Sequence, residues 1–404
     1  MSGDEFRPTE RALAFLLSPQ GSALLARLAA DWVSEKDLLH HIDRLRREVP
    51  HDVAAAAIEV TLLRSRAAVK FARASEMFFT RQALEQASAE IVSRYHASRY
   101  TPYPTAADLC CGIGGDALAL AVHAEVWAIE IDPIRLQMAG ANCAVYGVGE
   151  RLRTICDDVT TYRLPTGMPL WIDPSRRANG RRVYSLREYG PPLPALLCLA
   201  ERAPGTGIKL SPGVHYGELA AMLGSTPYEV EIVSAHRQAR EAVLWLGELR
   251  TAARRATLLP GEHTLTDRPL SGPVPVVPAS RYLYEPDPAV IRAHLVEHLA
   301  EHLGAAKIDD QIAYLTSDSL IETPFATAYE VQEAMPFNLK RLNQRLRRMD
   351  IGELVVKKRG FPVDPEQFRQ RLKYGGGTRR IVVVLTRVQD QPTALICAAG
   401  EKAG

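Results

Sequence analysis

The sequence predicts an α/β protein in which a mainly parallel, doubly wound sheet follows a helical N-terminal domain and precedes a basic C-terminal module. Between residues 101 and 247, short apolar runs alternate with helix-like segments, which is typical of parallel sheets covered by helices. A glycine-rich turn follows the first of these runs. From residue 331 to the end, 15 Lys and Arg stand against 7 Asp and Glu, although the whole chain has a net charge of only +2.

Length and composition set the outer limits. A chain of 404 residues is too long for one hydrophobic core. We therefore divide it into a helical domain at 1–100, an α/β domain at 101–250, a connector with a β-rich segment and a helix at 251–325, and a basic domain at 326–404. The small net charge excludes a polycation that coats nucleic acid along its whole length. Six cysteines without a C-x-x-C pair exclude a disulfide scaffold and a zinc ribbon.

The sequence also bears on the compartment. No apolar run approaches the roughly 20 residues that cross a membrane. Residues 1–10 are polar and carry three acids, unlike a secretory signal. We therefore predict a cytoplasmic protein with no membrane partner.

Each segment has its own pattern. Residues 8–98 carry leucines at helical spacing, such as Leu13, Leu16, Leu24 and Leu28, and almost no glycine, which predicts helices. The Pro- and Gly-rich stretch 251–288 predicts a small β-rich connector, and one strong helix is predicted at 289–303. Seven strands are predicted in the α/β domain at 106–110, 126–131, 152–156, 170–172, 207–210, 228–233 and 243–246.

The first predicted strand runs into the sequence ADLCCGIGGDA at residues 107–117. Glycines at a strand-to-helix turn allow backbone N–H groups to approach a ligand, and the following helix N-terminus favours an anionic or polar group. The backbone from Cys110 through Gly112 to Gly114 is therefore expected to hold a cofactor, in a loop bounded by Asp108 and Asp116. Because G-x-G-x-x-A at 112–117 also fits the dinucleotide fingerprint, an NAD oxidoreductase stays open at this point.

Three carboxylates favour S-adenosylmethionine over NAD. Asp108 precedes the glycines, where it would attract the cationic methionine end of S-adenosylmethionine and repel a pyrophosphate. Glu130, followed by Ile131, ends the second predicted strand and is placed to bind both ribose hydroxyls. Asp158, followed by Val159, comes after the third strand and is placed to accept a hydrogen bond from the adenine amino group.

The fourth predicted strand ends in Asp173-Pro174-Ser175-Arg176-Arg177, at the edge where α/β sheets bind substrates. In amino-methyltransferases an Asp or Asn, two prolines and an aromatic residue stand there. Asp173, with Pro174, is expected to accept a hydrogen bond from the target amine and to aim its lone pair at the methyl carbon, because methyl transfer depends largely on positioning. Arg176 and Arg177 replace the aromatic residue and could stack on a base or bind a phosphate.

Two alternatives concern this loop. Arg176 could instead form a salt bridge with Glu188. Asp-Pro-x-Arg also occurs in carbon-5 uridine methyltransferases, which need a cysteine nucleophile after the next strand. Ser211 stands at that place, and serine is a poor substitute without a base, so nitrogen methylation is favoured.

Residues 106–159, including NCAVYGVGERL after the second helix, resemble the class I S-adenosylmethionine-dependent methyltransferases. They are most similar to trimethylguanosine synthase-type enzymes, which share the wording DxxCGxGG, IDP and NAxxYGV. The resemblance implies a Rossmann-like seven-stranded methyltransferase sheet and S-adenosylmethionine as cofactor. Upstream, residues 77–95 resemble the VTPE-type helix that closes over the cofactor in those enzymes, which implies Thr80 as a ligand, although Arg81 follows it where they have proline.

The whole chain resembles bacterial methyltransferases that end in a THUMP-like domain, through YLYEPDPAVIRAHL and IGELVVKKRGFPVDPEQFRQRL. THUMP domains bind structured RNA, so the resemblance implies an α+β THUMP-like module and an rRNA or tRNA substrate. The alternative for these basic residues is an ordinary solvated surface. The residues predicted to contact RNA are Lys340, Arg341, Arg345, Arg348, Lys357, Lys358 and Arg359.

A metal site is not predicted. His294, His298 and His302 recur at four-residue spacing on the predicted helix at 289–303, but no carboxylate or cysteine partner can be identified for them.

The sequence thus predicts an S-adenosylmethionine-dependent methyltransferase that modifies a base nitrogen, preferably of guanine, in structured RNA. Two other classes stay open: a methyltransferase acting on a small molecule or a protein, and an RNA-binding protein with a vestigial cofactor fold. The oligomeric state is open as well.

Overall fold

The computed structural model describes residues 7–30, 45–178, 181–183 and 185–398, with the backbone alone at 177–178 and 181–182. The chain forms two compact units. The first comprises Met1–Glu229 and Ala242–Thr251, and the second comprises Val230–Glu241 and Ala252–Gly404. The predicted boundary at residue 100 falls inside the first unit.

Helices form the first part of the first unit, as the leucine spacing predicts. Leu13 and Leu28 are fully buried in a hydrophobic core that also contains Trp171 of the sheet. Thr9 begins the first helix, because its Oγ1 accepts a hydrogen bond from the N–H of Ala12 at 3.1 Å. The helices are α1 (Glu10–Leu17), α2 (Pro19–Ala30), α3 (His51–Ala67), α4 (Arg81–Gln86) and α5 (Glu90–Ser98).

The sheet of the first unit has the strand order β3-β2-β1-β4-β7-β9. All neighbours are parallel except β9, which runs antiparallel to β7. The strands are β1 (Thr105–Leu109), β2 (Glu125–Glu130), β3 (Leu152–Cys156), β4 (Leu170–Ile172), β7 (Gly205–Leu210) and β9 (Gln238–Gly247). A small hairpin of β5 (Arg177–Ala178) and β6 (Arg181–Arg182) follows β4. The helices are α6 (Ala117–Leu120), α7 (Pro133–Val145), α8 (Leu193–Ala200) and α9 (Tyr216–Leu223).

The strand order reverses between β1 and β4. From β1 the chain proceeds outward to β2 and β3, and it then returns to the other side of β1 with β4 and β7. Leu109, at the end of β1, pairs with Ile129 on one side and with Ile172 on the other. Such a reversal opens a crevice at the carboxyl ends of the strands, where open α/β sheets bind ligands. The predicted doubly wound, Rossmann-like methyltransferase sheet is confirmed.

The strand β8 (Tyr228–Ala235) belongs to the second unit from residue 230 onward. The first residues of β9, up to Glu241, belong to the second unit as well. Its other strands beside β8 are β10 (Arg254–Leu259), parallel to β8, and β11 (His263–Thr266), antiparallel to β10. A second sheet has the order β13-β14-β12-β15-β18-β17-β16. Its strands are β12 (Tyr282–Pro286), β13 (Ala306–Lys307), β14 (Leu315–Ser317), β15 (Ala326–Pro336), β16 (Glu353–Lys358), β17 (Arg380–Val388) and β18 (Gln391–Ala398).

Two helices, α12 (Leu339–Leu346) and α13 (Pro365–Arg369), pack on one face of this second sheet. Leu342 and Leu346 of α12 and Phe368 of α13 share a buried core with strand residues such as Val383. Alternating strands and helices of this kind form the α+β C-terminal module that the sequence predicts.

The prediction of a single helix at 289–303 is wrong. Two helices occupy the region, α10 (Pro288–Arg292) and α11 (Val296–Leu303). His294 lies between them with a φ of 57°, a backbone conformation that no helix contains. His298 binds the carbonyl oxygen of Arg268 through Nε2 at 3.0 Å. Within the described ranges, no group of three or more His, Cys, Asp or Glu side chains could hold a metal ion.

No single helix in the described part of the chain is long and apolar enough to cross a membrane, although α1 and α2, joined by a sharp bend, together meet the length and composition of a span.

Gly207 packs at the centre of the first sheet. It is paired with Trp171 of β4 on one side and Trp245 of β9 on the other, and both tryptophans are almost completely buried. A Cβ atom at position 207 would lie 2.6 Å from the Trp245 ring, 2.9 Å from the Trp171 ring and 2.9 Å from the hydroxyl of Tyr100. The close approach of these rings therefore requires glycine.

We expect Gly207→Ala to lower the free energy of unfolding by about 1–3 kcal/mol, because the methyl group overpacks a rigid aromatic core. The measurement is denaturant unfolding followed by tryptophan fluorescence. Gly217→Ala is the matched control: Gly217 lies in α9, where a Cβ meets open space, so this variant should be as stable as the wild type or slightly more stable. Equal stabilities of the two variants would contradict the packing argument.

Candidate active site

A cavity of about 660 Å³ opens at the carboxyl ends of β1, β2 and β4. Its walls come from the loop after β1, the end of β2, the segment after β3, the loop after β4 and α4. Most of the sequence-predicted site residues lie on these walls: Cys110, Gly112, Asp116, Glu130, Ile131, Asp158, Val159, Asp173, Pro174 and Arg176.

The loop after β1 adopts a left-handed backbone at several positions. Cys110, Gly112 and Gly114 have φ values of 62°, 55° and 80°, which is unusual for a non-glycine residue such as Cys110. A Cβ atom on Gly112 would meet nothing within 4 Å, so the backbone there is open to a ligand. A Cβ atom on Gly114 would lie 3.0 Å from Ala139 of α7. Gly114 therefore serves helix packing and does not line the cavity.

Glu130 is fixed at the end of β2 by two backbone N–H groups. Its Oε2 accepts from Gly112 at 2.9 Å and its Oε1 accepts from Asp132 at 3.0 Å. Only 6% of Glu130 is exposed, and the residue lines the cavity beside the more exposed Ile131. The carboxylate is thus tied to the glycine loop and presented to a ligand at one place.

Asp158 lines the cavity in the segment after β3. Its Oδ1 accepts from both the N–H and the hydroxyl of Thr160, at 2.8 Å and 2.7 Å. These hydrogen bonds hold the pKa of Asp158 below its ordinary value. Asp158 is therefore an ionised acceptor near neutral pH, next to the buried Val159.

Asp108 is not on the cavity wall. Its side chain is completely buried, and neither carboxyl oxygen has a hydrogen-bond partner within the described part of the chain. Burial, together with the nearby acids Asp116 and Asp173, raises the pKa of Asp108 well above its ordinary value. Asp116 does line the cavity, and its Oδ1 accepts from the hydroxyl of Ser93 at 2.6 Å.

The side chain of Thr80 contacts the backbone at the start of α4. Its Oγ1 accepts from the N–H of Ala83 at 3.2 Å, and this bond caps α4. Thr80 does not line the cavity, whereas residues further along the same helix and just after it do. These are Ala83, Glu85, Gln86 and Ala87. The resemblance of 77–95 to a cofactor-closing helix therefore identifies a segment of the wall, but Thr80 itself faces the helix.

Asp173 lies directly after β4 and forms an ion pair with Lys209 of β7. The Nζ of Lys209 donates to Oδ2 of Asp173 at 2.6 Å, and it lies 3.8 Å from Asp116. Lys209 is only 2% exposed. Burial raises the pKa of Asp173 to about 6, against the opposing effect of Lys209. Asp173 is accordingly a carboxylate at neutral pH with a proton affinity higher than usual.

Lys209 is not among the residues that the sequence predicts for the site. A signal was available, because a lysine stands in the otherwise apolar run GIKL of a central strand, and buried lysines are rare without a partner. The register pairs Ile172 with Ile208, so the residues that follow, Asp173 and Lys209, are brought side by side. Finding this pair required the order of the strands.

Arg176 is half-buried on the cavity wall. Glu188, the alternative ion-pair partner of Arg176, is exposed. The loop that carries Arg176 is closed at its base by Ser175 and Gly190, which exchange two backbone hydrogen bonds of 2.9 Å. The side chain of Arg177 lies outside the described part of the structure, so its predicted role at the acceptor stays a prediction.

The predicted RNA-binding residues lie in the second unit and differ in exposure. Lys340, Arg341, Arg345 and Arg348 are exposed on or just after α12, and Lys358 is exposed at the end of β16. Arg345 pairs with Glu333. Two others have inward contacts. Lys357 pairs with Glu285, and the guanidinium of Arg359 lies 5.3 Å from the centre of the Tyr314 ring.

Three family models match separate parts of the chain. Residues 104–188 match the RNA cap guanine-N2 methyltransferase family. Residues 326–399 match a THUMP domain-like family, and residues 10–67 match a domain of unknown function.

Relatives of known name extend these matches. Two Mycobacterium tuberculosis proteins, from strains CDC 1551 and H37Rv and both described as uncharacterised S-adenosylmethionine-dependent methyltransferases, are 36% identical over 362 residues, which is 86% of this chain and 97% of theirs. Trimethylguanosine synthase of Schizosaccharomyces pombe is 35% identical over 96 residues, which is 21% of this chain and 39% of that protein. A crystal structure of a candidate methyltransferase from Porphyromonas gingivalis has the same fold, with a TM-score of 0.72 and 21% identity, and covers 91% of this chain and 100% of that one.

The cavity residues fit S-adenosylmethionine. The open backbone at Gly112 leaves room for a ligand against the loop. Asp116, Glu130, Asp158 and Asp173 give the cavity an acidic lining, which suits a cationic sulfonium and opposes a pyrophosphate.

We expect Glu130→Ala to raise the Kd for S-adenosylmethionine about tenfold or more, because a charge-assisted contact and the anchor of Gly112 are both lost. Isothermal titration calorimetry measures this effect. Glu125→Ala, at the exposed start of the same strand, is the control and should bind as the wild type does. Equal Kd values for wild type and Glu130→Ala would remove Glu130 from the cofactor site.

Proposed function

We propose that this chain, which belongs to the family of S-adenosylmethionine-dependent methyltransferases, methylates a base nitrogen in structured RNA, with the amino group of guanine as the preferred acceptor. The observation that carries this proposal is the position of Asp173. It stands at the carboxyl end of β4, on the wall of the cavity and held by Lys209.

The cofactor half of the cavity is formed by the acids on the β2 and β3 side. Glu130 would bind the ribose hydroxyls and Asp158 would accept from the adenine amino group, while the backbone of 110–114 would hold the methionine moiety. S-adenosylmethionine supplies an electrophilic methyl group on a positively charged sulfur. Asp108 is buried and does not line the cavity, so it is not proposed as a direct ligand.

The acceptor half is formed by the loop after β4. An ionised carboxylate can only accept hydrogen bonds, so Asp173 selects a group that donates, such as an amine. That hydrogen bond aims the nitrogen lone pair at the methyl group, and the N–C bond forms as the S–C bond breaks. The methylated nitrogen then sheds a proton, which Asp173 can receive because its pKa is about 6. Pro174 and Arg176 line the cavity next to Asp173 and would flank the entering base.

RNA as the substrate class is supported from three directions. The family model over 104–188 describes a guanine-N2 methyltransferase of RNA caps, and the Schizosaccharomyces pombe relative is a trimethylguanosine synthase. The C-terminal residues match a THUMP domain-like family. In that region exposed Lys and Arg side chains on α12 provide positive charge for phosphates.

The first test transfers labelled methyl groups from S-adenosylmethionine to total RNA. RNA is prepared from a strain that lacks this gene and from its parent. We expect label to enter only the RNA of the deletion strain, because the parental sites are already methylated, and nucleoside analysis should then identify methylated guanine. No label in either RNA, from a protein that binds the cofactor, would favour a small-molecule or protein acceptor.

We also expect Asp173→Asn to keep the affinity for S-adenosylmethionine while kcat falls at least about a hundredfold, a loss typical of removing a positioned acid or base. In the wild type, kcat should be highest above pH 6 and should fall as the pH decreases through about 6, because protonation of Asp173 removes the acceptor. Glu188→Gln, an exposed residue on the same loop, should leave kcat unchanged. A near-wild-type kcat for Asp173→Asn would refute the acceptor role.

A further inference from the structure

Lys209 connects three parts of the active site. Besides its 2.6 Å hydrogen bond to Asp173, its Nζ lies 3.8 Å from Asp116 and donates to the carbonyl oxygen of Gln86 at 3.4 Å. Asp173, Asp116 and Gln86 all line the cavity. They belong to the loop after β4, the loop after β1 and the end of α4. One ammonium group therefore joins the acceptor side of the cavity to the segment that covers it.

The two oxygens of Asp173 have different surroundings. Oδ2 accepts a hydrogen bond from the Nζ of Lys209. Within the described part of the chain, Oδ1 accepts no hydrogen bond from another residue, and Asp173 borders the cavity. A carboxylate held through one oxygen presents the other in a fixed direction, as the supported ligands of preorganised sites do.

We propose that Lys209 is a positioning residue that keeps Asp173 ionised and directs its second oxygen at the cavity, so that the site takes a hydrogen-bond-donating amine as its methyl acceptor. The identity of the acceptor rests on the proposed function. The action of Lys209 on Asp173 does not, since it concerns two residues of this chain.

The electrostatic surroundings explain why a cation is needed. Asp173 faces Asp116 before α6, an acid that disfavours its ionisation, and Asp108 on β1 and Cys110 lie close by. Arg176, on the same loop as Asp173, favours the ionised form of Asp173, but less strongly than Lys209 does. Without the Lys209 charge, burial and Asp116 would dominate, and Asp173 would hold its proton at higher pH.

The principal experiment compares kcat for methyl transfer to RNA across pH 5–9.5 in the wild type, Lys209→Met and Lys209→Arg. In a plot of kcat against pH, the acid limb is the part in which kcat falls as the pH decreases. Loss of an opposite charge at this distance should move this limb upward by about 1–3 pH units. At pH 7 the activity of Lys209→Met should therefore fall about twofold for a shift of one unit and about tenfold for a shift of two units, and it should recover toward the wild-type value as the pH rises to 9. Lys209→Arg keeps the charge, so its limb should stay within about half a unit of the wild type.

Lys70→Met is the matched control. Lys70 donates to the carbonyl oxygens of Leu84 and Ala87 at 2.7 Å and 2.8 Å, and so holds the same end of α4 without contacting Asp173. If Lys209 acted only by holding α4, both Met variants would lose activity equally at every pH. A pH-independent loss in Lys209→Met, or a shifted limb in Lys70→Met, would overturn the proposal.

A second measurement needs no RNA. Sinefungin carries an amine in place of the transferable methyl group, whereas S-adenosylhomocysteine carries nothing there. Calorimetry gives the affinity for sinefungin relative to the affinity for S-adenosylhomocysteine. In the wild type this ratio should decline as the pH falls below about 6. In Lys209→Met the decline should begin at a pH at least about one unit higher. An identical decline in both proteins would refute the role of Lys209. If the wild type methylates no RNA while this shift is observed, the proposed function fails and the inference about Lys209 stands.

Discussion

The parallel pairing of β1 with β2 on one side and with β4 on the other is the constraint on which the active site depends. Parallel strands end at the same edge of a sheet, so the residues after β1, β2 and β4 meet in one crevice although Cys110 and Arg176 are 66 positions apart in sequence. Gly207 extends the arrangement, because β7 can approach β4 and β9 closely only without a side chain between the two tryptophans. That approach is what sets Lys209 beside Asp173.

Much of this arrangement could be predicted from local sequence. The strands were recognisable from their apolar runs, and the glycine loop from its spacing, since backbone conformation and hydrophobic period are local properties. The acids at strand ends could be assigned to the crevice because parallel sheets place strand ends together. Most of the cofactor and acceptor residues predicted in this way do line the cavity.

Other features depend on information that the local sequence does not carry. The resemblance implies Thr80 as a cofactor ligand, and that role stays a prediction; the structure shows Thr80 as the cap of α4, through its hydrogen bond from Ala83. The prediction of one helix at 289–303 is wrong because His294 has a left-handed backbone, which apolar spacing does not reveal. The Asp173–Lys209 pair depends on the order of β4 and β7, a tertiary property that periodicity does not encode.

The end of α4 has a consequence for how the enzyme can be divided. Four residues that precede the first strand of the sheet in sequence form part of the cavity wall, namely Ala83, Glu85, Gln86 and Ala87. Lys209 binds Gln86 directly. The catalytic module is therefore not autonomous at residue 101. A truncated chain that begins there would retain every strand of the cofactor fold and lose one side of its binding site, so the N-terminal helices belong to the minimal enzyme.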